Sequence, residues 1–144
     1  MADSAQSNNP LFLTRTREGV LELEITEPFL RGECLHEMLW LALRDAIDQH
    51  RLPCLIIDFQ NVKQVTSLTI AVLLRTLNLV DERSIAMGLC EMSDGIRQVF
   101  KMLHLDGTTM SISDTKSDAL SRFKNRPTLF DAWTDNDCPS HFDY

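Results

Sequence analysis

The residues in this sequence with the chemistry to act are few and scattered. Histidines stand at 36, 50, 104 and 141, with no HxxxH or HExxH spacing to aim two imidazoles at one metal. Cysteines stand at 34, 54, 90 and 138 with no CxxC pair. Isolated cysteine packs as a small hydrophobe, so buried free thiols are expected rather than a disulfide scaffold. Cys138 and His141 are three apart, and two ligands do not make a site. The glycines at 19, 32, 88, 95 and 107 form no phosphate-cradling loop, and no GxSxG, GxGxxG or P-loop occurs. The expectation is a protein with no metal or cofactor that binds rather than catalyses.

Two positions hold more promise. Asp58 closes the apolar run Cys54 to Phe59, and in an open α/β sheet functional loops gather at the carboxyl ends of strands. Its carboxylate either meets a partner or anchors the following loop by accepting backbone N–H bonds. Further on, Thr66-Ser67-Leu68-Thr69 opens an apolar helical segment. A hydroxyl there can cap the helix, and both Thr66 and Ser67 are candidates.

The hydrophobic pattern defines the elements that must position these residues. Leu11 to Arg17 and Val20 to Thr26 are β-compatible runs around Glu18-Gly19. Val20, Glu22, Glu24 and Thr26 alternate against Leu21, Leu23 and Ile25, which predicts a hairpin with one wet face. From Glu33 to His50, Leu35, Met38, Leu39, Ala42, Leu43, Ala46 and Ile47 recur at helical spacing, with Trp40 at the edge of the stripe and Leu41 outside it. The continuous apolar run after Pro53 suits a central parallel strand covered on both faces. A second helix spans Ser67 or Leu68 to about Glu82, and Ser84 to Met92 reads as the next strand. Ser93-Asp94 caps a third helix with Ile96, Val99, Phe100 and Leu103 on one stripe. Asp106-Gly107 makes a turn, Thr108 to Ile112 a short last strand, and Ser113-Asp114 caps a fourth helix to about Phe123. This order predicts an α/β fold with right-handed crossovers and a small mixed sheet.

The 144 residues, 44% of them apolar, fill one core and would be cramped as two. Residues 1–10 read as a disordered segment, 11–124 as one domain and 125–144 as an acidic tail bearing Asp131, Asp135, Asp137 and Asp143. Phe130 and Trp133 would order that tail only against an apolar groove. A net charge of −7 without a Lys/Arg cluster gives no attraction to a phosphate backbone, so direct nucleic-acid binding is not expected. No signal-like opening and no run of membrane-spanning length occur, so a cytoplasmic protein without a membrane span is expected.

The segment Leu55-Ile-Ile-Asp58-Phe-Gln-Asn-Val-Lys-Gln-Val-Thr66-Ser67-Leu-Thr69-Ile-Ala-Val-Leu-Leu74 resembles the signature of STAS domains of the anti-sigma factor antagonist type. There, a strand ending in Asp leads to an Asp-Ser-Ser-Gly-type turn and an apolar helix. Met92 to Asp106 is similar to the second family signature, a helix ending in an apolar turn that closes with Leu-Asp. The resemblance implies an opening antiparallel hairpin on a small mixed sheet with about four packed helices. It also implies partner switching: an anti-sigma factor that is itself a serine kinase phosphorylates the serine at the start of the second helix, and the unmodified form binds that factor. The matching residue is Ser67, with Thr66 the lesser alternative. A helix N-terminus accommodates a phosphate, so the domain should stay folded and the phosphate should act on the partner. This chain departs from the pattern in reading Thr66-Ser67-Leu68-Thr69, and Thr69 in place of glycine is expected to obstruct an approaching backbone.

On the second helix, Ile70, Leu73, Leu74, Leu77 and Val80 are expected to face the sheet, with Leu68, Val72 and Leu79 opposite them beside Arg75 and Thr76. A second apolar stripe is either a partner site or a surface covered by the tail or another copy of the domain. Asp58, Leu68, Thr69, Val72, Arg75, Thr76 and Leu79 are therefore the candidate partner-binding residues. A homodimer is compatible with partial exposure of Trp40 and Leu41. The alternative role is a non-phosphorylated scaffold or accessory subunit of a signalling or transport complex.

Overall fold

In the computed structural model, which describes residues 11–106 and 110–125, the apolar periodicities become nine elements. They are β1 (Phe12–Arg17), β2 (Val20–Ile25), α1 (Glu33–His50), β3 (Cys54–Asp58), α2 (Ser67–Glu82), β4 (Ala86–Cys90), α3 (Asp94–Met102), β5 (Ser111–Ser113) and α4 (Lys116–Asn125). The five strands form one sheet in chain order, β1-β2-β3-β4-β5. The β1–β2 pair is antiparallel and the other pairs are parallel. Glu18 and Gly19 turn the hairpin with φ of 52° and 82°, the positive values that match a tight turn to the twist of its strands.

Strand alternation divides the sheet into two faces. Leu21, Leu23, Leu55, Ile57 and Leu89 join one core with Leu39, Leu43 and Ile47 of α1, Ile70, Leu73 and Val80 of α2, and Ile96 and Phe100 of α3. Val20, Ile56 and Cys90 point the other way and meet Ala119, Leu120 and Phe123 of α4. β3 is therefore buried on both faces, as its unbroken apolar run requires.

Several expectations need correction. The second face of β2 is not wet: Val20 and Glu22 are buried because α4 covers it, and Glu24 is half-buried. On α1, Met38 is exposed while His36 is buried, because α2 packs along that flank. On α3 only Ile96 and Phe100 are buried; Val99 and Leu103 are exposed, since a nine-residue helix touches the core through one i, i+4 pair. Cys34 is exposed on the first turn of α1, Cys54 is half-buried and Cys90 is buried. β5 is shorter than expected, and α4 begins at Lys116 after Ser113 has ended the strand. Thr115 caps α4, its Oγ1 accepting the Asp118 N–H at 3.1 Å. The expectations for residues 1–10, Gly107, Thr108 and 126–144 lie outside the described residues.

The hairpin gives a direct test of the two-faced sheet. Leu23→Ala should cost about 3 kcal/mol in urea unfolding, by lost burial and a cavity. Leu13→Ala, on the same hairpin but exposed, should cost under about 0.5 kcal/mol.

Candidate functional site

The hydroxyl run at the start of α2 separates into residues that build the helix end and one that is presented by it. Thr66 is the N-cap, with extended backbone (φ −124°, ψ 178°), and its Oγ1 accepts the Leu68 N–H at 3.2 Å. Thr69 returns the bond, its Oγ1 accepting the Thr66 N–H at 3.2 Å, which completes a capping box. Ser67 is the first helical residue and is exposed, as is Leu68 beside it. Of the two sequence candidates for the cap, Thr66 takes the role.

Thr69 does not stand in the way of an approaching partner. It is 1% exposed, and its hydroxyl lies 2.7 Å from Nε2 of His36. Val72 and Thr76 follow it inward, because α1 packs beside α2 and buries the flank expected to be free. The Thr76 hydroxyl donates to the Val72 carbonyl at 2.8 Å and so needs no outside partner. Leu79 is half-buried against the core, as are Leu74 and Leu77. The expected broad apolar stripe thus contracts to Leu68, with Arg75 two turns along. The Arg75 guanidinium lies over the Trp40 ring, 4.3 Å from its centroid, and 3.9 Å from Glu37.

Asp58 belongs to a different neighbourhood. It is 1% exposed, and its Oδ1 accepts the Gln60 N–H at 2.7 Å, anchoring the loop that leads to Thr66. Its Oδ2 lies 3.2 Å from Nζ of Lys116, which also stands 3.6 Å from the buried Glu22, on the α4 face. Arg17 reaches Glu22 from the sheet edge at 3.6 Å. Asp58 Oδ2 and both Glu22 oxygens lack well-formed hydrogen bonds, so their burial rests on these ionic contacts. Glu91 accepts the Lys116 N–H at 2.7 Å and fixes the first turn of α4 above the pair. Burial opposes the Lys116 ammonium, but Asp58 and Glu22 outweigh it and hold its pKa above the ordinary value. Burial, with the charges of Asp58 and Glu91 adding to it, pushes the neighbouring Cys90 thiol up to about 12.

Arg97 ties the other side of this end of the sheet. From α3 its Nε donates to Asp106 at 3.1 Å and its Nη2 to the Ile112 carbonyl at 3.2 Å, while Nη1 pairs with Asp114. The partner candidates therefore do not form one site. Ser67, Leu68 and Arg75 share the outer surface of α2, Thr69, Val72 and Thr76 lie beneath it, and Asp58 is covered by α4. Sequence reading missed His36, Lys116 and Glu22. Only Glu22 left a signal, as a carboxylate in a row that opens with Val20. Among the described residues no group of three or more His, Cys, Asp or Glu could hold a metal ion, and no helix is long and apolar enough to cross a membrane.

Lys116→Met should cost about 3 kcal/mol, because it strands two buried carboxylates; adding Glu22→Gln and Asp58→Asn should recover most of that loss. The sign with pH follows from the raised pKa. The Lys116 contribution is complete below 10.5 and is lost as pH rises through the higher folded value, so the gap in urea midpoint between wild type and Lys116→Met should close there. In the native protein a maleimide should modify Cys34 and leave Cys90 untouched until denaturant is added.

Comparison with known proteins gives this arrangement a context. A protein from Thermotoga maritima described as a candidate anti-sigma factor antagonist superposes with a TM-score of 0.70 at 15% identity, over 80% of this chain and 96% of its own. An anti-sigma-factor antagonist (STAS) domain protein from Planctomyces limnophilus gives 0.66 at 23% identity, over 77% and 95%. The Bacillus cell fate determinant SpoIIAA in its phosphorylated form gives 0.57 at 18% identity, over 77% and 97%. No curated protein sequence matches. The STAS domain model matches residues 12–119, more than half of the sequence, and the chain belongs to the STAS domain family.

Proposed function

We propose that this chain is a cytoplasmic regulator of the anti-sigma factor antagonist kind, which binds an anti-sigma factor that is also a serine kinase, and that phosphorylation of Ser67 ends the binding. The observation that carries the reading is the division of labour at the start of α2. Thr66 and Thr69 spend their hydroxyls on the capping box, and Ser67 stands exposed between them. A phosphate on Ser67 would meet the free N–H groups and positive end of the helix, so it would be tolerated by the fold. It would place about two negative charges beside Leu68, where an apolar partner contact would be desolvated and repelled. A relative of the same fold has been solved in a phosphorylated form.

A scaffold or accessory subunit that is never phosphorylated is the second reading, and Arg75 held over Trp40 favours it. A stacked arginine beside an exposed leucine is a surface that binds protein without any switch.

Incubating the full chain with ATP and a candidate anti-sigma kinase should add one phosphate by intact mass, and Ser67→Ala should abolish it. Ser67→Asp and Leu68→Asp should each weaken partner binding at least about tenfold in a direct titration. Binding lost with Leu68→Asp but unchanged by Ser67→Asp would select the scaffold. Binding unchanged by both would sink the reading of this surface altogether.

A further inference from the structure

We propose that His36 of α1 is a positioning residue for the start of α2: through Thr69 it fixes the backbone that presents Ser67. The argument begins with which atoms can donate. Nδ1 of His36 lies 2.7 Å from the Gly32 carbonyl oxygen, which can only accept, so Nδ1 carries the proton. In the neutral ring Nε2 is then an acceptor, and the Thr69 hydroxyl, 2.7 Å away, donates to it. With its proton committed, the Thr69 oxygen accepts the Thr66 N–H at 3.2 Å. The bonds run in one direction, from the Thr66 amide through Thr69 to His36 and on to Gly32, and each polarises the next.

Thr69 needs this help for two reasons. A capping box ordinarily uses Glu or Gln at the third helical position, whose length reaches the cap amide, whereas Thr is short. A helical Thr also divides between rotamers, because its hydroxyl can turn back to a carbonyl of the preceding turn. The acceptor on His36 selects the rotamer that faces the Thr66 amide. His36 and Thr69 are 3% and 1% exposed, so water cannot substitute for a lost link without opening the α1–α2 interface.

The far end of the chain of bonds is also held. Gly32 begins α1 with φ 86°, a backbone suited to glycine, and has no side-chain cap. Its carbonyl takes both the His36 N–H at 3.2 Å and the ring Nδ1–H. The segment before it is joined to the loop before α2: Lys63 and Gln64 donate to the Pro28 carbonyl at 2.7 and 3.2 Å, and Arg31 donates to Gln64 at 2.9 Å. The two connections that precede α1 and α2 thus form one clamped unit, and His36 fastens its inner edge. Thr69, the most visible departure from the family turn, is the residue through which it acts. The consequence for regulation rests on the reading of Ser67 above, whereas the positioning itself is a property of the free protein.

The test is amide exchange by NMR on the full chain, with Ile57 in β3 as the reference for global unfolding. In His36→Leu the Thr66 amide should exchange roughly tenfold faster while Ile57 keeps its protection. His36→Gln, which retains an acceptor at similar reach, should restore the rate to within about threefold of wild type. Thr69→Val should accelerate Thr66 exchange even if His36→Leu fails to fold, and His36→Leu added to it should bring no further increase. An unchanged Thr66 rate in His36→Leu, equal rates in His36→Leu and His36→Gln, or additive effects with Thr69→Val would each overturn the proposal. If the exchange results hold and wild-type Ser67 takes no phosphate from the kinase, the positioning stands and the switch falls.

Discussion

Burial of β3 on both faces is the constraint from which the rest of the structure follows. Three crossover helices cover one face, and α4 must cover the other, so the row of β2 and β3 side chains that includes Glu22 and Asp58 leaves water together with Val20 and Ile56. Two carboxylates in such a place require a cation, and Lys116 in the first turn of α4 supplies it. Asp58 then has one oxygen turned to α4 and the other holding the loop that ends at Thr66. One side chain thereby joins the covering helix on one face to the start of α2 on the other.

Most of the fold was legible because it rests on periodicities that survive without tertiary context. The bounds of α1, the unbroken run of β3 and the serine cap of α3 all read directly. What could not be read is which flank of each element a neighbour would take. The parallel packing of α1 against α2 turned Val72 and Thr76 inward and left Met38 outside, and nothing in either helix alone encodes that rotation. Lys116 looks like any surface lysine until Asp58 and Glu22 are placed under it. Glu22 was assigned to water by alternation, which specifies opposite faces without saying whether both are covered.

The same limit governed the hydroxyl run. Spacing identified Thr66, Ser67 and Thr69 as a helix start and left open which of them is structural. The answer depends on His36, thirty-three positions before Thr69, whose acceptor nitrogen gives the Thr69 hydroxyl a direction. The departures from the family turn are therefore a different construction of the helix end, one in which two threonines replace the shape that a glycine-containing turn would provide.

The order of the chain gives the Lys116 pair a consequence during synthesis. α4 is the last described element, so a nascent chain carries the faces of β2 and β3 before their cover exists. At that stage Val20, Cys54 and Ile56 form an apolar strip open to any other chain with an unpaired strand. Glu22 and Asp58, still hydrated and both negative, interrupt the strip as gatekeepers against association. Lys116 arrives with the helix that buries them and cancels their charge when it is no longer needed.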